Sequence, residues 1–244
     1  MGLRGGTVVA VQSHTMKSGL SFLVAARQCE IGELEQLALT SELVSVIARL
    51  IHALQRERGL SNVYLASGGA RLADARRLQR TECLQVEAQV RQHFDQLDTA
   101  PRQGGHGARL FSRVAWVLHA LDALPGVRAE VDALKLTPAE VTAWYVRLIA
   151  GLLAVVFEAA DSAGDPEISR ALVAMFNFMQ GKEFAGQERA FGSAAFASGR
   201  TDSSTRQQWM HLVESQERCL QVFRDYSQPA IVQAWLAGHS GAAL

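Results

Sequence analysis

Two short stretches place a Glu-Arg pair ahead of a run of small and apolar residues. Residues 55–69 read QRERGLSNVYLASGG, and residues 187–200 read QERAFGSAAFASGR. Aligned on the Glu-Arg pair, both continue with seven residues and then Ala-Ser-Gly. A guanidinium keeps its charge at any relevant pH, so a buried arginine needs a carboxylate or an anion beside it. The repeat therefore marks candidate anion-binding residues.

Helical spacing separates the arginines of the first stretch. At intervals of three and four residues, Arg58 continues an apolar stripe that contains Ile51 and Leu54. Arg56 falls instead beside Arg49 on a polar face. We therefore expect Arg58 to point inward and Arg56 to point outward.

The second stretch repeats this arrangement. Arg189 lies on a stripe with Phe178 and Gly192, so we expect it to point inward as well. Small residues after each arginine would let helices approach closely or leave room for a small guest. The candidates for lining such a pocket are Gly59, Ser61, Asn62, Gly192 and Ser193.

Two interpretations of the inward arginines remain open on the residues alone. In the first, Glu57, Glu188 or carboxylates from other helices neutralise Arg58 and Arg189 as structural pairs. The chain would then be a ligand-independent helical interaction or dimerisation module. In the second, the two guanidinium groups converge on a small planar oxyanion, which suits their fork of donors. The chain would then be a small-anion sensor.

The spacing of apolar residues is helical almost everywhere, and no segment has a convincing strand pattern. Thr40-Ser41-Glu42 and Thr137-Pro138-Ala139-Glu140 resemble helix starts, and Pro125-Gly126 predicts a break. A short last helix follows Pro229. The other predicted helices cover about 17–38, 40–66, 70–98, 108–123, 127–134, 137–161, 166–198 and 203–226.

These elements predict an all-α fold of two antiparallel four-helix bundles packed side by side. The repeated Glu-Arg stretch suggests a pseudo-twofold relation between the bundles, which we expect to divide near residues 100–107. The sensor domain would cover residues 15–236. We expect residues 1–14 to be disordered or extended and residues 237–244 to form a flexible tail.

Composition argues against several classes of function. The 244 residues carry 24 basic and 24 acidic side chains, so the whole chain does not attract nucleic acid or anionic membranes. The three cysteines form no C-x-x-C pair, and the seven histidines are scattered. The sequence contains no zinc motif, P-loop or nucleophile elbow, so we expect neither an enzyme nor a cofactor or metal. The N-terminus resembles no signal peptide, and we expect a cytoplasmic protein.

Four stretches of the sequence, in order, resemble the nitrate- and nitrite-sensing (NIT) domain family. The first is LIHALQRERGLSNVYLASGG at 50–69, and the second is LPGVRAEVDALKLTPAEVTAWYVRLIAGLL at 124–153. The others are KEFAGQERAFGSAAFASGR at 182–200 and QQWMHLVESQERCLQVF at 207–223. Any one stretch would be weak support, whereas the ordered set covers about residues 40–228.

The resemblance implies two four-helix bundles with nitrate or nitrite held by arginines between them. Because Arg58 and Arg189 match the family's motif, the resemblance implies that they are ligand-binding residues. Arg128 and Arg56 also match the family's stretches, with less certain roles. The family commonly joins this sensor to an output module, such as an RNA-binding antitermination domain.

Residues 201–244 contain three arginines and four acidic residues, which do not make a basic RNA-binding helix. We therefore expect a regulatory output delivered in trans, through a separate protein, without direct nucleic-acid or membrane binding. A homodimer is the general expectation for a sensory helical bundle.

Overall fold

The computed structural model describes residues 18–97, 106–161, 165–198 and 203–241. Within these ranges the chain forms seven α-helices and no strand, which confirms the all-helical prediction. The helices are α1 (Gly19–Ala66), α2 (Ala73–Asp95), α3 (His106–Asp132), α4 (Pro138–Asp161), α5 (Pro166–Ser198), α6 (Ser203–Tyr226) and α7 (Pro229–Gly241).

Helix α1 is continuous where the sequence suggested two helices. The predicted start at Thr40 is wrong, because Thr40 lies within Gly19–Ala66. No glycine or proline occurs between Gly32 and Gly59, so nothing in the backbone interrupts the hydrogen-bond ladder. A favourable capping residue contributes only about 1 kcal/mol, and it does not by itself break a helix.

Helix α3 also runs through its predicted break. Pro125 lies inside His106–Asp132, so the two helices expected at 108–123 and 127–134 are one. A proline removes one backbone donor and normally kinks a helix rather than abolishing it when tertiary packing holds both sides. Leu124 and Arg128 are both buried, and they anchor α3 before and after the proline.

Two predicted helix starts agree with the structure. At α4, the Thr137 backbone N–H donates to Glu140 Oε2 over 2.8 Å, and the Glu140 N–H donates to Thr137 Oγ1 over 3.2 Å. This reciprocal capping box lowers the pKa of Glu140, chiefly through the backbone hydrogen bond. At α5, Asp165 Oδ1 accepts the N–H groups of Glu167 and Ile168.

The chain separates into two compact units, Met1–Ala38 and Leu39–Leu244. The described part of the first unit, residues 18–38, is the N-terminal half of α1 and is mostly exposed. Its exposed side chains include Leu20, Phe22, Leu23, Ile31 and Leu34. The second unit contains the hydrophobic core.

Within the second unit, α1 to α4 form a four-helix bundle. Hydrogen bonds or ion pairs join α1 to each of the next three helices, and α3 to both of its neighbours. These contacts are Gln79–Ala53, Arg128–Glu57, Asn62–Thr142, Arg76–Asp132 and Arg109–Glu158. The centre of the bundle is apolar, with Ile47, Leu50, Leu54, Leu121, Leu124, Leu148, Ile149 and Leu152 all 1% exposed or less.

This arrangement corrects the expected domain boundaries. The bundle joins helices from both sides of residues 100–107, so the chain does not divide into sub-bundles there. Helix α7 continues to Gly241, so it includes residues 237–241 of the expected tail, whose flexibility stays a prediction. Residues 1–14 lie outside the described part of the chain, and the pseudo-twofold relation stays a prediction.

Helix α5 lies against α1 and α4 and carries α6 on its other side. Contacts pair 52 with 182, 55 with 183 and 58 with 186, so α5 runs parallel to α1. A Cβ atom at Gly181 would lie 3.3 Å from Cys219 of α6, and one at Gly192 would lie 3.2 Å from the Trp209 ring. Glycine at both positions lets α5 and α6 approach closely.

Two helices, α1 and the Pro138–Ala160 part of α4, are long and apolar enough to cross a membrane. Core helices of water-soluble proteins meet the same criteria of length and composition. In the apolar window of α4, 56% of the residues are buried inside the fold. The apolarity of α4 is therefore explained by its position in the bundle.

Candidate anion-binding site

Glu57 of α1 forms a buried ion pair with Arg128 of α3. Arg128 Nε donates to Glu57 Oε1 over 2.8 Å, and Arg128 Nη2 donates to Oε2 over 2.7 Å. The side chains of Glu57 and Arg128 are 0% and 1% exposed. Burial opposes the charge of Arg128, but the two hydrogen bonds to Glu57 outweigh it and raise the pKa of Arg128. Arg128 therefore has a bidentate structural partner in this bundle.

Neutral side chains surround this pair. Burial, and secondarily the charge of Glu57, raises the pKa of Tyr145 and of the Cys83 thiol. Both groups therefore stay protonated near neutral pH. The Glu57–Arg128 pair is balanced in charge and enclosed, so it offers little attraction for a further anion.

Arg58 points inward, as its position on the apolar stripe predicts, and it contacts a different helix. Arg58 Nη1 donates to Glu183 Oε1 of α5 over 2.5 Å. The two side chains are 4% and 3% exposed. The partner is thus neither Glu57 nor Glu188 but a carboxylate from another helix, which is one of the arrangements expected for a structural pair.

Two glutamines share the Glu183 carboxylate with Arg58. Gln187 Nε2 donates to Glu183 Oε1 over 2.9 Å, and Gln55 Nε2 donates to Oε2 over 2.9 Å. Glu183 accepts one of the five N–H donors of the guanidinium, in contrast to the two that Glu57 accepts from Arg128.

A glycine makes room for the Arg58 guanidinium. A Cβ atom at Gly186 would lie only 2.8 Å from Arg58 Nη2. Any larger residue at position 186 would displace the guanidinium from the face of α5. Gly186 therefore sets how closely Arg58 approaches this helix.

Arg189 lies one turn beyond Gly186 on α5, and its side chain is exposed. The expectation that it points inward is therefore wrong in this structure. A helix turns about 100° per residue, which puts Arg189 between two contact faces of α5. Glu183 and Gly186 face α1, whereas Glu188 and Gly192 contact Trp209 of α6. Arg58 of α1 thus contacts the stretch of α5 that carries Arg189, but Arg189 lies at the surface while Arg58 is buried.

The remaining candidates fall in different environments. Arg56 is exposed, as predicted, and lies 3.3 Å from Glu82. Gly59 is exposed, and a Cβ atom added there would contact no other part of the fold within 4 Å, whereas Gly192 is buried against Trp209. The side chain of Ser193 lies outside the described part of the structure.

Ser61 and Asn62 continue α1 beyond Arg58. Ser61 is 1% exposed, and its Oγ has no hydrogen-bond partner among the described residues. Asn62 Nδ2 donates to Thr142 Oγ1 over 2.8 Å, while its buried Oδ1 accepts no hydrogen bond within the same residues. The Ser61 hydroxyl and the Asn62 amide oxygen, one turn beyond Arg58 on α1, could therefore form further hydrogen bonds.

A second contact between α1 and α5 lies next to the Arg58–Glu183 pair. Lys182 Nζ is 2.7 Å from His52 Nδ1. Burial, followed by the charges of Lys182 and Arg56, lowers the pKa of His52. Burial also lowers the pKa of Lys182. The region around Arg58 thus carries several basic groups and one buried carboxylate.

Sequence reasoning missed Glu183, Gln55, Gln187 and Gly186 as surroundings of Arg58. The sequence indicates part of this environment, because Glu183 and Gln187 are four residues apart on one face of α5. What the sequence lacked was the adjacency of α1 and α5. The described residues also hold no cluster of three His, Cys, Asp or Glu side chains suited to a metal ion.

Comparison with known proteins gives three findings. A family model for nitrate and nitrite sensing matches residues 49–243. The chain is 35% identical over 212 residues to the nitrate regulatory protein of Klebsiella oxytoca, covering 86% of this chain and 52% of that protein. The solved structure of the NasR transcription antiterminator superimposes with a TM-score of 0.77 and 33% identity, covering 86% of this chain and 56% of the other. The chain thus spans about half the length of these relatives.

Proposed function

Because the chain belongs to the nitrate and nitrite sensing family, we propose that it binds nitrate or nitrite through Arg58 and Arg189. The observation that carries this proposal is the guanidinium of Arg58, which is buried yet gives only one hydrogen bond to its carboxylate partner. Its remaining donors match a planar oxyanion, which accepts two parallel hydrogen bonds.

The surroundings of Arg58 support a small ligand. Gly186 leaves no side chain over Nη2, and Arg189 follows one turn later on α5. A long arginine at the surface can fold over a neighbouring anion, so the exposure of Arg189 is compatible with this role. Ser61 and Asn62 would supply further polar contacts.

The ligand is proposed to act by changing how the helices pack. A ligand can shift a conformational equilibrium only by its difference in affinity for the two states. Contacts to α1 and α5 together would provide such a difference, because the ligand would favour one relative position of the two helices. The chain would then work in the cytoplasm as a homodimer and contribute to a regulatory output, consistent with similarity to a regulatory protein and an antiterminator.

Isothermal titration calorimetry with nitrate and nitrite tests the proposal, with chloride and sulfate as controls. We expect heat of binding for nitrate or nitrite alone, and its loss in Arg58→Ala and Arg189→Ala. Arg56→Ala, which removes an exposed arginine paired with Glu82, should bind like the parent. Binding in both variants at the parental affinity would show that the assigned arginines are wrong.

A second candidate function rests on the Arg58–Glu183 pair itself. If that pair is purely structural, the chain is a helical interaction module that needs no ligand. Absence of both heat and thermal shift at millimolar nitrate and nitrite would favour this alternative. Sedimentation with and without nitrate would then show whether dimerisation is independent of the anion.

A further inference from the structure

Glu183 occupies the position in which an anionic ligand would meet Arg58. Its Oε1 atom lies 2.5 Å from Arg58 Nη1, and the pair is nearly inaccessible to solvent. A carboxylate and nitrate are both planar oxyanions and bind a guanidinium through the same donors. Resting on the proposed function, we infer that Glu183 is a built-in competitor that sets the affinity for nitrate.

The contacts of Glu183 suit an exchange of partners. Gln55 and Gln187 already donate to both carboxylate oxygens, so Glu183 keeps two neutral donors when Arg58 turns to a ligand. Arg58 in turn would exchange one anionic partner for another and never be left uncompensated. Glu183 would lose its counter-ion, but its two amide donors offset part of the penalty for a buried carboxylate, so the exchange costs less than it would without them.

This exchange also connects the ligand to helix packing. Arg58 belongs to α1, whereas Glu183 and the nearby Lys182 and Gly186 belong to α5. Loss of the Arg58–Glu183 bond removes a direct link between these helices. Nitrate binding would therefore weaken one α1–α5 contact, and the reciprocal rule requires that weakening this contact tighten nitrate binding.

The test is Glu183→Gln, an isosteric change that removes the competing charge. We expect the parent chain to bind nitrate and Glu183→Gln to bind it at least about fivefold more tightly, the lower end of typical couplings between sites. The matched control is Glu158→Gln, which neutralises another buried carboxylate that pairs with Arg109 and Arg113 of α3. Its nitrate affinity should equal that of the parent.

A second variant tests the inference without changing Glu183 itself, in case Glu183→Gln does not fold. Gln55→Ala removes the donor to Oε2, so Glu183 depends more on Arg58 and nitrate binding should weaken. Hydrogen exchange should show faster exchange in the part of α5 around residue 183 in both variants without nitrate, and in the parent with nitrate.

The outcomes separate the two proposals. If the parent binds nitrate but Glu183→Gln binds it equally or more weakly, Glu183 is not a competitor and the proposed function stands. If Glu183→Gln alone binds nitrate and Glu158→Gln does not, competition by Glu183 is strong enough to suppress binding in the parent. If no chain binds nitrate, both the inference and the proposed function are wrong.

Discussion

Glu57 and Arg58 are neighbours in the sequence, but they belong to two ion pairs of different design. Glu57 accepts two hydrogen bonds from Arg128 of α3 and lies among neutral groups inside the four-helix bundle. Arg58 crosses to Glu183 on α5 and makes one hydrogen bond, while two glutamines take the rest of that carboxylate. Both pairs are almost fully buried.

The difference shows that burial alone does not distinguish a structural arginine from one available to a ligand. In the Glu57–Arg128 pair, the guanidinium gives two hydrogen bonds to one carboxylate, which Tyr145 and Cys83 also contact. In the Arg58–Glu183 pair, the carboxylate has two glutamine donors, and the guanidinium has donors to which no described residue is bonded. The two pairs therefore differ in the number of hydrogen bonds that the guanidinium gives to its carboxylate: two from Arg128 and one from Arg58.

The largest effect is expected at Arg128. Arg128→Met should lower the free energy of unfolding by about 3–5 kcal/mol, because it leaves the Glu57 carboxylate buried without a counter-ion. Urea unfolding followed by circular dichroism measures this change. The double variant Glu57→Met/Arg128→Met should recover most of the loss. A single variant as stable as the parent would mean that Glu57 finds another partner.

A smaller loss is expected at Arg58. Arg58→Met should reduce the free energy of unfolding by about 1–3 kcal/mol, because it removes one hydrogen bond from Glu183, whereas Arg128→Met removes two from Glu57. The same urea experiment applies, with Arg56→Met as the exposed control that should not change stability measurably. If Arg58→Met costs as much as Arg128→Met, the two pairs are energetically alike and the comparison fails.

Gly186→Ala should affect the position of Arg58 more than stability. The added methyl group would lie 2.8 Å from Arg58 Nη2, so the flexible end of the arginine must move away. Gly59→Ala is the matched control, since a methyl group added there would meet no other atom within 4 Å. The control should gain about 0.5–1 kcal/mol from helix propensity, and Gly186→Ala should gain less. Equal gains in urea unfolding would indicate that Arg58 does not rest against Gly186.

The smallest effect concerns His52. Its pKa is lowered in the folded chain, so the unfolded chain takes up the proton first as the pH falls below about 6.5. Stability should therefore decrease on acidification through this window, because the unfolded state binds more protons. Thermal unfolding between about pH 7.5 and about pH 5.5 should show a smaller decrease for His52→Gln than for the parent. If both proteins lose the same stability over this pH range, the His52–Lys182 contact does not contribute to the pH dependence of stability.

Local features of the sequence predicted much of the fold. The helical periodicity, the capping box at Thr137 and the N-cap at Asp165 all depend on residues within one or two turns. Signals that suggest a break were less reliable, since α1 continues through Thr40 and α3 through Pro125. In both helices, tertiary packing on either side outweighs a local preference of modest size.

The face of α1 that each arginine occupies follows from the sequence, because a period of 3.6 residues per turn separates Arg56 from Arg58 whatever surrounds them. It also carried the family resemblance that the comparison confirms. The packing of the helices, in contrast, brings Arg58 to Glu183 and Glu57 to Arg128, and it leaves Arg189 at the surface. Partner choice depends on which helices become neighbours, and residues 125 and 71 positions apart in the chain carry no local signal of that adjacency.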